Sequence, residues 1–232
     1  YLLVMTTAGG HREVAEGLKG HLAQGQRIVI FNGNWGTCEF VQVLGEELKE
    51  KQVIVAETGG MLLIADYQGE FCHLKSIKKE ISLASFPSCY AEQLKEELKD
   101  IFPQITVRPN VVETSLNNSN PFIHIPISLL NYTRIENGED FGFYRQGATP
   151  SATHYIEAID QEREAVAQAI GVKFESCLDI INSFWPDKYP SLYEAIRNNA
   201  TYQSGAGPKT LKHRYMTEDL PYGVLSVVAL AE

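Results

Sequence analysis

The sequence predicts an α/β unit followed by an all-α unit: a partial Rossmann-like parallel sheet over residues 1–110, then a helical substrate or dimerisation domain over 111–232. Three observations carry this reading. In the first hundred residues, short continuous apolar runs alternate with blocks of helical periodicity, as in a parallel sheet covered on both faces. Near residue 110 the chain changes character and passes into a stretch rich in Asn and Pro. Beyond it, apolar residues recur mainly at helical spacing.

Leu2–Thr6 reads as a strand that ends in the turn Thr7-Ala8-Gly9-Gly10, and a helix follows with Val14, Leu18 and Leu22 four residues apart. Arg27–Phe31 is a second strand, broken by Asn32-Gly33-Asn34-Trp35-Gly36. Thr37 is then placed to cap a helix carrying Phe40, Val41, Leu44 and Leu48. Val53–Ala56 is a third strand, ending at Glu57-Thr58-Gly59-Gly60. Such sheets bind ligands at the carboxyl ends of their strands, so these three turns are the places to look. Phe71–Leu74 and Ile81–Phe86 are shorter strand-like pieces, Tyr90–Ile101 is a charged helix, and Ile105–Pro109 is strand-like again. Val111–Pro126 reads as a connector. The clearest helix runs from Thr153 to Ile170, with Ile156, Ile159, Val166 and Ile170 on one stripe and Gly171 placed to end it. Ser191–Asn198 is another.

Composition narrows the function. Against 20 Lys and Arg stand 29 Asp and Glu, a net charge of −9, which argues against a nucleic-acid or anionic-membrane surface. No apolar run reaches the roughly 18 residues of a membrane-crossing helix. Cys38, Cys72, Cys89 and Cys177 are far apart and form no C-x-x-C pair, which favours reduced thiols in a cytoplasmic protein. The six histidines show no ligand spacing, so no metal is expected. The chain opens on Tyr1-Leu2-Leu3-Val4-Met5 and closes within an apolar run ending at Glu232, so it reads as a piece of a longer protein.

Two clusters could carry chemistry. His124 lies between Pro121 and Pro126, where a stiff backbone would fix a residue type suited to general acid–base work. A histidine that only bonds a connector carbonyl is the competing reading. In Arg214-Tyr215-Met216-Thr217-Glu218-Asp219-Leu220-Pro221-Tyr222-Gly223, Arg214 offers a fork for a carboxylate, and Asp219 could orient an imidazole. A surface ion pair is the plainer alternative. Trp35 either stacks on a ligand ring or anchors its own turn. Tyr144-Arg145 and the basic spot of Lys75, Lys78 and Lys79 are set aside.

Taken in order, Asn120-Pro121-x-x-His124-x-Pro126, then Asn131, then Asp160-x-Glu162-Arg163 on the long helix, then Arg214-Tyr215-x-x-Glu218-Asp219-x-Pro221-Tyr222-Gly223 resemble the octopine/nopaline (opine) dehydrogenase family over essentially the whole chain. The resemblance implies an NAD- or NADP-dependent oxidoreductase acting on CH–NH bonds. It would condense an amino acid's amine with a 2-oxo acid such as pyruvate and reduce the imine. It further implies His124 and Asp219 as a catalytic dyad, with Arg214, Asn120 and Asn131 at the substrates and Thr6, Thr7, Asn32 and Gly33 beside the cofactor. The implied partners are those small molecules, with a homodimer left open. One departure stands out: no G-x-G-x-x-G turn occurs, since Gly205-x-Gly207 is followed by Thr210 at the third position. A 2-hydroxyacid or ketopantoate-type reductase, and a non-enzymatic ligand-binding remnant, are the alternatives.

Overall fold

A computed structural model describes residues 1–203 and 205–232, with the side chains of all of these except 66–68. The chain divides into two units. The first comprises residues 1–62 and 80–118, the second residues 63–79 and 119–232.

In the first unit the strands are β1 (Leu2–Val4), β2 (Arg27–Ile30) and β3 (Ile54–Thr58), separated by α1 (His11–Leu18), α2 (Gly36–Leu44) and α3 (Glu46–Glu50). β4 (Leu63–Gln68) and β5 (Phe71–Ile77) form a separate antiparallel hairpin of the second unit, and the chain then returns through β6 (Ile81–Phe86), α4 (Ala91–Leu98) and β7 (Ile105–Val107). The five-stranded sheet has the order β1-β2-β3-β6-β7. Its pairings are parallel except at β3–β6, so the expected parallel sheet carries one antiparallel joint. Ile28, Ile30 and Val55 are fully buried with Phe40 and Ala15 from the flanking helices, which is why these strands read as continuous apolar runs.

The expected connector at 111–126 is helical. α5 (Val111–Leu116) starts where the Asn110 side chain accepts a hydrogen bond from the Glu113 amide at 2.9 Å, and it belongs to the first unit. The units therefore part after Asn118, where the sequence pointed to 110. α6 (Asn120–Leu130) opens the helical part of the second unit. Pro121 is compatible with a first turn, whose amides have no intrahelical partner in any case, and Pro126 costs the interior a single ladder bond. Pro121 through Ser128 are all buried, the mark of a helix surrounded by protein.

The helices α7 (Tyr132–Glu136), α8 (Phe143–Gly147) and α9 (Pro150–Ile170) follow. α9 is capped by the Thr149 side chain and stops at Gly171, whose φ of 72° is left-handed. Its buried face is Ala152, Ile156, Asp160, Arg163 and Ala167, while Ile170 of the expected stripe is exposed. The apolar pattern misplaced this face because its centre is an ion pair between Arg163 and Asp160, with Asp160 also accepting the Cys177 amide at 2.6 Å. The remaining elements are α10 (Cys177–Phe184), α11 (Leu192–Asn198), α12 (Arg214–Thr217), a π-helical turn at Asp219–Val224, and α13 (Leu225–Ala231). Among the described residues no helix is long and apolar enough to cross a membrane.

Candidate active site

In the second unit, α6 and the π-helical turn bring together two side chains 95 residues apart. His124 Nδ1 lies 2.7 Å from Asp219 Oδ2, and both residues are at least nine-tenths buried. The far ring nitrogen, Nε2, lies 2.8 Å from the Tyr144 hydroxyl of α8. Tyr215 of α12 stacks on the imidazole with ring centroids 4.1 Å apart, and Phe143 closes the edge at 6.0 Å. A carboxylate at Nδ1 fixes the ring's orientation and leaves Nε2 to exchange a proton with a neighbour. Burial, reinforced by the neighbouring phenols of Tyr215 and Tyr202, holds the Tyr144 hydroxyl well above the ordinary phenol range.

The other sequence-nominated residues of this unit scatter around the pair. Arg214 sits at the start of α12 and pairs through Nε with Glu218 Oε2 at 3.2 Å, its side chain half exposed and the carboxylate buried. Asn120 lies at the first position of α6, one turn before His124. The Asn131 side-chain amide donates to the carbonyls of Ile127 at 2.8 Å and Gly147 at 3.1 Å, fastening α6 to α8. His124 itself rides on a helix and not on the extended Pro-flanked connector the sequence suggested. Tyr144, set aside in the sequence, is its direct partner. Tyr215 stood inside the Arg214–Gly223 motif without a role.

In the first unit, Thr6 and Thr7 are exposed in the turn after β1. Asn32 and Gly33 lie in the turn after β2, at the carboxyl edge of the parallel strands. This turn holds three left-handed non-glycine residues, Asn32, Asn34 and Trp35, with φ of 56°, 47° and 70°. Such backbone persists only where the surroundings enforce it. The Asn32 amide donates to Thr58 Oγ1 at 3.0 Å, the Gly33 amide to the Thr58 carbonyl at 2.9 Å, and the Trp35 amide to Ser115 Oγ at 2.8 Å. A Cβ on Gly33 would stand 2.3 Å from that of Glu57, so only glycine fits. Thr37 caps nothing. Its amide donates to the fully buried Glu57 carboxyl at 2.9 Å, and that carboxyl from β3 serves the first turn of α2 in its place. Burial raises the Glu57 pKa, opposed by hydrogen bonds from Ser115 and Thr37. His11 is 1% exposed, and burial drives its pKa down to about 4. The atoms His11 Nε2, Asn34 Oδ1 and Trp35 Nε1 are buried without a hydrogen-bond partner.

Gly205 and Gly207 have a packing role. The segment pairs with residues 141–143, and a Cβ on Gly207 would meet the Phe141 ring at 2.4 Å. Among the described residues no group of three or more His, Cys, Asp or Glu side chains could hold a metal ion.

The structure of octopine dehydrogenase in complex with NADH and agmatine matches with a TM-score of 0.76 at 18% identity, over 99% of this chain and 64% of that one. The family described as NAD/NADP octopine/nopaline dehydrogenase, alpha-helical domain, matches residues 107–232. The chain belongs to the octopine/nopaline dehydrogenase family. It is 30% identical to the opine dehydrogenase of Arthrobacter sp. (strain 1C), over 99% of this chain and 64% of that protein. It is 25% identical to the D-nopaline dehydrogenase of Agrobacterium tumefaciens (strain T37), over 83% of this chain and 56% of that protein. The chain thus spans less than two thirds of the curated relatives' length.

Proposed function

We propose that the complete gene product is an NAD(P)H-dependent opine dehydrogenase, joining the amine of an amino acid to a 2-oxo acid such as pyruvate by reductive condensation. The observation that carries this is the buried His124–Asp219 pair at 2.7 Å, within a chain of this family. Octopine dehydrogenase has been solved with NADH and L-arginine and with NADH and pyruvate, which supports the substrate classes.

In this reading His124 donates a proton to the oxygen leaving the carbinolamine, and Asp219 orients the ring through Nδ1. General acid help of this kind is worth about 10²–10⁴-fold. Arg214 receives a substrate carboxylate, with Glu218 holding its guanidinium in place, and Asn120 faces the substrates from the same helix as His124. Asn131 is left out, because its amide is committed to two backbone carbonyls. The nicotinamide cofactor fits the carboxyl edge of β1 and β2, where Thr6, Thr7, Asn32 and Gly33 would hold it and where buried polar atoms of His11 and Asn34 lack partners. When bound, it supplies the hydride that reduces the imine carbon.

A drop-out assay tests the reading. NADH and NADPH oxidation by the complete gene product is followed with pyruvate plus a mixed amino-acid pool, and one component is removed at a time. A rate that requires both oxo acid and amine is the expected result. A full rate with the oxo acid alone would replace this reading with a 2-hydroxyacid or ketopantoate-type reductase.

A further inference from the structure

Both ring nitrogens of His124 are engaged. Nδ1 belongs to Asp219, so a proton bound for a substrate leaves through Nε2, and there the partner at 2.8 Å is the Tyr144 hydroxyl. The neighbouring phenol of Tyr215 adds to the rise of the Tyr144 pKa. The Tyr144 ring is clamped: Tyr202 packs on it at 4.7 Å, Phe143 meets its edge at 5.1 Å, and a Cβ on Gly205 would stand only 3.1 Å from it. The backbone around it is tied down as well. The Phe143 amide donates to the Gly205 carbonyl at 2.8 Å, and Asn131 fastens α8 to α6. A ring held on this many sides keeps its oxygen on the imidazole.

We propose, on the basis of the opine dehydrogenase reading above, that Tyr144 is a catalytic residue that relays the proton between His124 Nε2 and the reacting oxygen of the substrate. In the dehydration step the carbinolamine C–O bond breaks as the nitrogen lone pair forms the C=N bond. The departing hydroxyl takes the Tyr144 O–H proton and leaves as water. The Tyr144 oxygen takes the Nε2 proton in the same event, so the positive charge of the imidazolium passes to the iminium and the phenol ends as it began. The raised phenol pKa keeps Tyr144 protonated at neutral pH, as a relay that both accepts and donates requires.

The test uses the complete gene product and Tyr144→Phe, which keeps the clamped ring and removes only the hydroxyl. Single-turnover rates are measured with NADH, pyruvate and the amino acid found in the drop-out assay, in mixtures of H₂O and D₂O. NADH binding is followed separately by fluorescence. The relay predicts a single-turnover rate about 10²–10³-fold lower in the variant, with NADH affinity unchanged within two-fold. It also predicts a bowed dependence on deuterium fraction in the wild type, because two protons move together, and a straight one in the variant. A variant within three-fold of wild type overturns it, as does a straight wild-type dependence or a slow variant that keeps the bow. These outcomes concern the relay alone, provided the wild type needs both substrates. A wild type indifferent to the amine removes the reading on which the relay rests.

Discussion

Each unit buries one histidine among its described residues, His11 in the first and His124 in the second, and the two stand in opposite surroundings. In the first unit His11 has an Nε2 with no partner and a pKa driven down to about 4, while Glu57 is buried among hydroxyl and amide donors and its pKa is raised. Burial is the largest cause in both, alone at His11 and opposed at Glu57 by hydrogen bonds from Ser115 and Thr37. In the second unit His124 and Asp219 touch at 2.7 Å, and both imidazole nitrogens are hydrogen-bonded. The same side-chain types lie apart from one another under the turn after β2 and are joined at the π-helical turn, where the proposed function gives them the proton. Burial makes a histidine inert, and a directed partner makes it useful.

The sharpest way to break this contrast is to unpair the second site. Asp219→Asn in the complete gene product keeps the shape but no longer holds the charged imidazole, and kcat is expected to fall by about 10²–10⁴-fold with the fold intact by circular dichroism. Unchanged turnover would put Asp219 on the scaffold side of the comparison.

At His11 the readout is stability and not rate. A base whose folded pKa is depressed contributes stability that is fully present above its unfolded value near 6.5 and is lost as pH falls toward about 4. A shift of this size corresponds to about 3 kcal/mol. Glu57 has the opposite sign: its raised pKa gives stability that is present at low pH and lost as pH rises through the folded value. Urea unfolding at pH 7.5 and 4.5 should therefore show the wild type losing more on acidification than His11→Asn, in which only the imidazole's share is gone. Equal losses in the two proteins would contradict a buried neutral His11.

The smallest expected effect comes from Gly33→Ala. The added Cβ would sit 2.3 Å from Glu57, whose carboxyl is held by Ser115 and Thr37, so neither side can yield freely. Overpacking of this kind costs about 1–3 kcal/mol. Thermal unfolding of the variant checks it, and a melting temperature equal to wild type would show the turn to be softer than its left-handed backbone implies.

The sequence made the first unit legible because strands buried on both faces read as unbroken apolar runs, and Ile28–Ile30 and Val55 are such residues. The hairpin β4–β5 was half visible, since β5 is exposed along nearly all its length and offers no alternation to read. α6 was misread as a connector because its Asn and Pro residues carry loop statistics, although both prolines fit a helix. The buried face of α9 was misplaced because hydrophobic periodicity cannot see an ion pair used as core. At the site, His124 and the Arg214–Asp219 motif stood out first as two separate clusters, and the ordered resemblance joined them. Tyr144 was passed over because no local pattern tells that α8 folds against α6, and that contact depends on Asn131 binding the Gly147 carbonyl.

If proton transfer in the proposed reaction runs through His124, removing that one side chain has the clearest effect. His124→Ala in the complete gene product is assayed for turnover with NADH, pyruvate and the accepted amino acid, beside NADH binding by fluorescence. A loss of about 10²–10⁴-fold in kcat is expected, with cofactor affinity retained. Turnover within three-fold of wild type would contradict it and would reduce the His124–Asp219 contact to a packing feature of the helical unit.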